Sequence, residues 1–322
     1  MLIPDKISIV CPNFNKGAFI AETIESVLAN TFQHWELIII DDGSTDNSLD
    51  IIEAYVKKDH RIECIRQSNQ GGAAARNAGM EKANGAYLLF LDSDDLLSPQ
   101  CLEKRLCLAK KHPTGIGWVF PLLPFQGKFA DQSFIAPWIP PQDQFLERLI
   151  EHDITWTSMS PLWKTAAVVP EFRWNSLYPR LQDIEFHTHI LLKGEPIFTF
   201  PEEEPDCYYR LDEQKLVIGS RFQYLEKWGT GCQLYVQEFW GKLPIELRPK
   251  LSRTILAFLS VAGHYHRIQH IDKKQLESLI KMGVEACPLK RQKLLLSTYG
   301  WLLTQLPMHL PGLNAIIKFC LR

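Results

Sequence analysis

The amino-acid sequence predicts an α/β protein, a doubly wound, mostly parallel sheet with helices on both faces, followed by a helical C-terminal subdomain. Three observations predict it. Short apolar runs alternate with stretches of helical period through roughly the first 120 residues, the pattern of strands and crossover helices. A run such as Tyr87-Leu88-Leu89-Phe90-Leu91 is too short for a helix and is bounded by Gly85 and an acidic cluster, which suits a central strand. From about Arg221 onward only helical patterns occur.

Each element follows from its local pattern. Ile7-Ser8-Ile9-Val10-Cys11 reads as the first strand, stopped by Pro12. Phe19 to Ala29 carries Phe19, Ile20, Ile24, Val27 and Leu28 at helical spacing, and the second strand, Leu37 to Ile40, ends in Asp41-Asp42. Ser48 to Lys58 repeats the helical period with Leu49, Ile52, Tyr55 and Val56. Ile62 to Ile65 is a short third strand, Ala73 to Ala83 a third helix, and Tyr87 to Leu91 the fourth strand. After Pro99, a helix over Leu102 to Lys111 and a strand over Gly117 to Phe120 precede Pro121 to Pro141, whose Pro and Trp content reads as ordered loop. Asp183 to Leu192 is a helix ending at Gly194, and Ile197 to Phe200 and Cys207 to Arg210 are strands. The helical tail is expected to break near Gly229-Thr230-Gly231, Pro244, Gly283 and Pro307. The resulting division is a sheet domain over 1–215 and a helical subdomain over 216–322.

Composition excludes several classes. The 322 residues include 35 Lys and Arg against 37 Asp and Glu, with 46% apolar residues, so the chain is not disordered and has no global basic surface for nucleic acid. Any nucleotide site must be local. No segment approaches the roughly 18 uninterrupted apolar residues of a spanning helix. Met1 to Lys6 lacks the basic start and apolar core of a signal peptide, so the expected location is cytoplasmic. The eight cysteines form no C-x-x-C pair and read as buried free thiols.

In open parallel sheets, ligands bind beyond the carboxyl ends of the strands. Here those ends carry Pro12-Asn13-Phe14-Asn15, Asp41-Asp42-Gly43-Ser44 and Asp92-Ser93-Asp94. Asp41-Asp42 alone would be an ordinary turn. The Asp92-x-Asp94 spacing changes the reading, because it sets two carboxylates on one side of an extended chain. Hard oxygen ligands of that kind suit a divalent ion that takes substrate phosphates for its remaining positions.

Four segments in this order resemble the family 2 glycosyltransferases of GT-A fold, over roughly the first 215 residues. They are Ile9-Val10-Cys11-Pro12-Asn13-Phe14-Asn15, Ile39-Ile40-Asp41-Asp42-Gly43-Ser44-Thr45-Asp46, Asn69-Gln70-Gly71-Gly72-Ala73-Ala74-Ala75-Arg76-Asn77-Ala78-Gly79 and Leu91-Asp92-Ser93-Asp94-Asp95. Each alone is weak, whereas the ordered set is specific. The resemblance implies an inverting transfer from a nucleoside diphosphate sugar, a UDP-sugar first, to a hydroxyl on a glycan or lipid-linked oligosaccharide, as in bacterial cell-envelope polysaccharide synthesis. It implies that Asp42 accepts from the N3–H of a pyrimidine and that Phe14, beside Pro12, lies against the base where relatives often carry Tyr. Arg76 would sit near the nucleotide, with a structural ion pair to the acidic loop as the alternative. Asp94 would bind the metal, Mn²⁺ or Mg²⁺, and Asp92 the ribose or a metal-bound water, while Asp95 would cap the loop or begin the next helix.

A later segment, Arg180-Leu181-Gln182-Asp183-Ile184-Glu185-Phe186, is similar to the family's stretch in which an acidic pair opens a helix beside the acceptor. Asp183 takes the place of the general base, with an N-cap as its bland alternative. Gln182 stands where Glu is commoner. Glu185 is the second candidate, but two residues along a helix it points about 200° away. After Arg210, a candidate diphosphate contact, the family's histidine is missing, since none lies between His189 and His264.

The competing readings are weaker. A nicotinamide dehydrogenase should show G-x-G-x-x-G after the first strand, and Pro12-Asn13-Phe14-Asn15-Lys16-Gly17 does not. A non-catalytic nucleotide-sugar or glycan-binding protein of the same fold is opposed by the presence of Asp92, Asp94 and Asp183. The C-terminal stretch Trp301 to Arg322 reads as part of a packed helical subdomain, with peripheral contact at the inner membrane face as the alternative.

Overall fold

The computed structural model describes residues 2–127, 129–131, 134–139, 143–152, 156–211, 220–305 and 317. The chain divides into two compact units, Met1–Asp143 with Thr155–Ser176 and His189–Asp212, and Gln144–Ile154 with Leu177–Thr188 and Glu213–Arg322. The boundary expected at 215/216 lies outside the described residues. Two short stretches before it belong to the second unit, an assignment that local sequence pattern does not reveal because only long-range packing defines it.

The chain begins with β1 (Ile3–Asn13), α1 (Ile20–Leu28), β2 (Trp35–Asp41), α2 (Ser48–Val56), β3 (Ile62–Arg66), α3 (Gly72–Lys82) and β4 (Gly85–Phe90). It continues through β5 (Leu96–Leu97), α4 (Cys101–Lys111), β6 (Gly117–Val119), β7 (Leu123–Gln126), α5 (Phe145–Ile150), β8 (Pro161–Lys164) and α6 (Thr165–Val168). Then follow α7 (Gln182–Leu192), β9 (Ile197–Thr199), β10 (Cys207–Leu211), α8 (Arg221–Phe239), α9 (Leu251–Arg267), α10 (Lys273–Ala286) and α11 (Lys290–Gln305).

In the first unit a seven-stranded sheet runs β3-β2-β1-β4-β8-β6-β9, and only β8 is antiparallel to its neighbours. A second sheet runs β5-β10-β7. The period of two in the strands builds a core on each face. Ile7, Ile9, Cys11, Leu37, Ile39 and Leu89 pack with Ile20, Ile24 and Val27 of α1 and with Leu102 and Leu106 of α4. Ile38 and Ile40 face the other way and pack with Ala75 of α3. Each fully buried Leu, Ile or Val contributes about 1.5–3 kcal/mol of transfer free energy.

The order β3-β2-β1-β4 places the topological switch between β1 and β4, so the loops after β1, β2 and β4 open into one crevice. Pro12 does not stop β1, which runs through Asn13. The Asn13 carbonyl accepts from Asp42 N on the β2 side, and the Val10 carbonyl accepts from Leu91 N on the β4 side. Alternate residues face opposite neighbours, so the missing N–H of Pro12 faces the β4 side beyond the last pair, Val10 with Phe90. The stretch expected as loop, Pro121 to Pro141, contains β7, and β5 and β8 also went unforeseen, because runs of two to four residues carry too little periodicity.

In the second unit, α8 and α10 open on capping boxes, Ser220 with Gln223 and Asp272 with Gln275. Neither Gly229-Thr230-Gly231 nor Gly283 breaks its helix. A Cβ on Gly229 would lie 2.3 Å from Met282 Sδ, and one on Gly283 would lie 3.1 Å from a Leu259 methyl. Close helix packing at those positions outweighs a glycine penalty of about 1 kcal/mol relative to alanine. The chain does leave helix around Pro244, between α8 and α9, as expected. Pro307 lies outside the described residues. No helix among the described residues is long and apolar enough to cross a membrane.

Candidate active site

The loops after β1 and β2 in the first unit lock together. Asn13 Nδ2 donates to Asp41 Oδ1 at 2.8 Å and to Ser44 Oγ at 3.2 Å, and Ser44 N donates to Asp41 Oδ2 at 3.2 Å. Asn15 N donates to Ser44 Oγ, and Asn15 Oδ1 accepts from Thr45 N at 2.7 Å. Gly43 turns at φ +77°, where a Cβ would also meet Asn69 N at 3.0 Å. Asp41 is therefore the turn residue of the acidic pair, and half-buried Phe14 is carried on a braced loop.

Asp42 does different work. Its Oδ1 accepts from Gln67 Nε2 at 2.7 Å and Gln70 N at 2.8 Å, and its Oδ2 accepts from Gly71 N at 2.7 Å. A carboxylate has about four lone-pair sites, so Oδ2 retains capacity for one further donor. The same bonds draw residues 67–71 to the strand end and fix the N-terminus of α3. A Cβ on Gly79 would lie 2.3 Å from Val10 Cγ1, which shows how closely α3 rides on β1.

From α3, Arg76 Nη2 donates to Asp92 Oδ1 at 2.6 Å while its guanidinium lies 4.7 Å from the Trp174 ring. Trp174 is held by Asn77 through two hydrogen bonds and packs edge-on against Phe90. The ion pair that stands as the alternative for Arg76 is thus present. Asp94, nearly buried, accepts from Lys16 Nζ at 2.6 Å through Oδ2. Asp95 does not begin α4, whose N-cap is Gln100; its Oδ1 accepts from Arg210 N at 2.8 Å. The Cys11 thiol beneath is pushed well above its usual range by burial and then by the Asp92 and Asp94 carboxylates, an internal sign of the negative field there.

Arg210 is buried and engaged by protein groups. Its Nε donates to the Asp94 carbonyl at 2.8 Å, Nη1 to the Gly127 carbonyl at 2.8 Å and Nη2 to Glu22 Oε2 at 2.6 Å. Phe19 and Phe125 flank the guanidinium at 4.8 and 4.6 Å. Behind it, fully buried Arg105 makes a forked pair with Asp206 and donates to the Met159 carbonyl, fixing the start of β10 against α4. Burial opposes the Arg105 charge, but the Asp206 carboxylate outweighs it and holds the guanidinium protonated.

The donor set fits a hard divalent ion. Asp92 and Asp94 offer only carboxylate oxygen, and each already holds a cationic side chain, Arg76 and Lys16. Sequence reasoning missed Lys16, Glu22 and Trp174. Lys16 directly follows the first motif, a signal that could have found it, whereas nothing local links Glu22 or Trp174 to the acidic loop.

In the second unit, Leu181 at φ +67° leads into α7. Gln182 Nε2 donates to the Tyr178 carbonyl at 2.8 Å. Asp183 is the second residue of the helix rather than its N-cap, is half-buried, and accepts from Ile184 N at 3.0 Å. Glu185 is 2% exposed, in keeping with its opposite direction. Burial pulls the His152 imidazole down to about 4 against the opposing pull of the Asp183 carboxylate. Its ring stacks on Trp228 at 5.7 Å.

The fold of the first unit is a GT-A-like α/β fold, with a largely parallel central sheet and helices on its faces. Residues 8–163 match the family described as glycosyl transferase family 2. GlyG of Streptococcus pneumoniae is 43% identical over 98 residues, 30% of this chain and 33% of that protein. TuaG of Bacillus subtilis, named as a candidate teichuronic acid biosynthesis glycosyltransferase, is 45% identical over 101 residues, 31% of this chain and 40% of that protein. The chain thus spans about two fifths or less of the length of these relatives. The crystal structure of Staphylococcus aureus TarS residues 1–349 in complex with UDP superposes with a TM-score of 0.66 at 17% identity, covering 97% of this chain and 89% of that one. The mannosyltransferase PcManGT of Pyrobaculum calidifontis, in complex with GDP-Man and Mn²⁺, gives 0.52 at 15% identity, covering 97% and 86%.

Proposed function

We propose that this protein transfers a sugar from a nucleoside diphosphate donor, a UDP-sugar, to an acceptor hydroxyl with inversion, in a single displacement. The observation that carries the reading is the ordered strand-end set in the first unit. Asp42 keeps an acceptor site free of the hydrogen bonds that brace it, and Asp92 and Asp94 each hold a cation at the carboxyl end of β4. Asp42 receives the pyrimidine N3–H, Phe14 lies against the base beside Pro12, and Arg76 steadies Asp92 toward the ribose. A divalent ion, Mn²⁺ or Mg²⁺, held through Asp94 would supply neutralisation of the diphosphate leaving group. Arg210 supports this loop from behind rather than meeting the diphosphate, since its donors serve Asp94, Gly127 and Glu22.

Asp183 takes the proton from the acceptor hydroxyl as that oxygen attacks the anomeric carbon, and Gln182 lies beside it for donor or acceptor contact. A placed base of this kind is worth about 10²–10⁴-fold. The name of TuaG supports a glycan acceptor of the cell envelope, on the cytoplasmic side where nucleotide sugars are made. Peripheral membrane contact through α11 would suit a lipid-linked acceptor.

The test is an Asp183→Asn variant with the donor screen done first. UDP with Mn²⁺ is expected to raise the melting temperature of both wild type and variant, while sugar transfer falls by about 10²-fold or more in the variant only. Unchanged turnover removes Asp183 from the mechanism. Absence of stabilisation by UDP, GDP, dTDP or CDP defeats the nucleotide-sugar reading as a whole.

A further inference from the structure

The loop after β1 places a lysine on the carboxylate assigned to the metal. Lys16 is fixed at its backbone, its N–H donating to Ser48 Oγ at 2.9 Å and its carbonyl accepting from Phe19 N and Ile20 N, each at 2.9 Å, at the start of α1. From that anchor Nζ reaches Asp94 Oδ2 at 2.6 Å, passing 5.9 Å from the Phe19 ring. The Asp94 side chain is 5% exposed and that of Lys16 23%, so the ammonium is the outer and more mobile partner. The neighbouring pair differs. Arg76 on Asp92 is stacked on Trp174 and rooted in a helix pressed against β1, and so has little freedom to leave.

An ammonium is a compact, strongly hydrated point charge on a flexible stem, the side chain that most resembles a bound metal cation. A lone pair of Asp94 Oδ2 taken by Nζ is not available to a metal, and two cations at hydrogen-bond distance from one carboxylate oxygen repel each other strongly where little water reaches them. We propose that Lys16 is an internal counter-ion of Asp94. It yields that carboxylate when a divalent cation arrives together with a nucleoside diphosphate, and its freed ammonium then turns to the diphosphate oxygens. The metal alone must displace Lys16 with no anion to receive it, so it binds weakly; with the diphosphate present, the displaced charge finds a partner. Binding of metal and nucleotide is therefore coupled, and reciprocally so. The inference rests on the reading of Asp94 as the metal ligand.

The test measures Mn²⁺ binding to the full chain by the loss of the free-ion electron paramagnetic resonance signal, with and without UDP. Wild type, Lys16→Met, Lys16→Arg and Asp94→Asn are compared. Lys16→Met is expected to bind Mn²⁺ alone about tenfold more tightly than wild type, and to gain less from UDP. In EDTA its melting temperature should fall, and Mn²⁺ should restore it, which separates a lost counter-ion from a misfolded protein. Lys16→Arg should behave like wild type, and Asp94→Asn should take up no Mn²⁺. If Asp94→Asn is silent and Lys16→Met binds Mn²⁺ no better than wild type, the counter-ion role is wrong while the ligand assignment stands. Wild-type Mn²⁺ binding by Asp94→Asn overturns the ligand assignment and the inference with it.

Discussion

At the scale of single residues, the acidic loop is braced by a buried guanidinium engaged by protein groups. Arg210 joins β10 to the Asp94 carbonyl, to Gly127 and to Glu22, with its own N–H on Asp95. Glu22 is half open to water, so its charge pairing adds little. The larger loss on removing the guanidinium is that two carbonyls and a packed position between Phe19 and Phe125 are left empty. Arg210→Met is expected to destabilise the chain by about 2–4 kcal/mol and lower the denaturation midpoint without changing the urea slope. A variant as stable as wild type would show that these bonds are replaced by water at no cost. The acidic residues were legible from the motifs, and so was an ion pair of Arg76 with the acidic loop, as one of two readings. Lys16 on Asp94 and Glu22 on Arg210 were not, being separated by 78 and 188 residues, beyond any local pattern.

At the scale of elements, α3 ties the sheet to the strand-end site proposed for the nucleotide. Its run of small residues, Gly72-Ala73-Ala74-Ala75, and Gly79 let it lie close to β1 and β2, and this closeness puts Arg76 on Asp92 and residues 67–71 on Asp42. Gly79→Ala adds a methyl 2.3 Å from Val10 Cγ1, so the helix must lift or Val10 must turn. The expected cost is about 1–3 kcal/mol, with a smaller rise in melting temperature on adding UDP than in wild type. An unchanged UDP-induced rise would mean that the nucleotide contacts do not depend on the seating of α3. The four strands and three helices of the half-sheet were readable because their periods of two and 3.6 persist for several residues. The short strands β5, β7 and β8 were not, and the helices through Gly229 and Gly283 were misjudged because glycine looks like a break until its neighbour across the interface is known.

At the scale of the whole molecule, the net charge of −2 hides an uneven distribution. The β4 loop is acidic, whereas α11 has no acidic residue and opens with Lys290, Arg291 and Lys293, against the sign that a helix N-terminus favours. Leu294 and Trp301 are 69% and 60% exposed, and at a spacing of i and i+7 they fall on one face of the helix, with exposed Arg291 one turn before Leu294. The chain is expected to sediment with phosphatidylglycerol vesicles and not with phosphatidylcholine alone. Leu294→Ser combined with Trp301→Ser should weaken that binding about tenfold or more, given the apolar area lost. Equal sedimentation of the double variant would place any membrane contact elsewhere.

The sequence by itself determined the class of fold, the crevice at the carboxyl ends of the strands and the identity of its acidic residues, because period and motif are local properties and survive without coordinates. Tertiary structure chose between the two readings left open for Arg76 and alone decided the other partners. It put Lys16 on Asp94, Arg76 between Asp92 and Trp174, and Arg210 behind the acidic loop, and it joined residues 144–154 and 177–188 to the helical unit. These are pairings between segments far apart in the chain, selected by packing and charge only when the sheet brings them together.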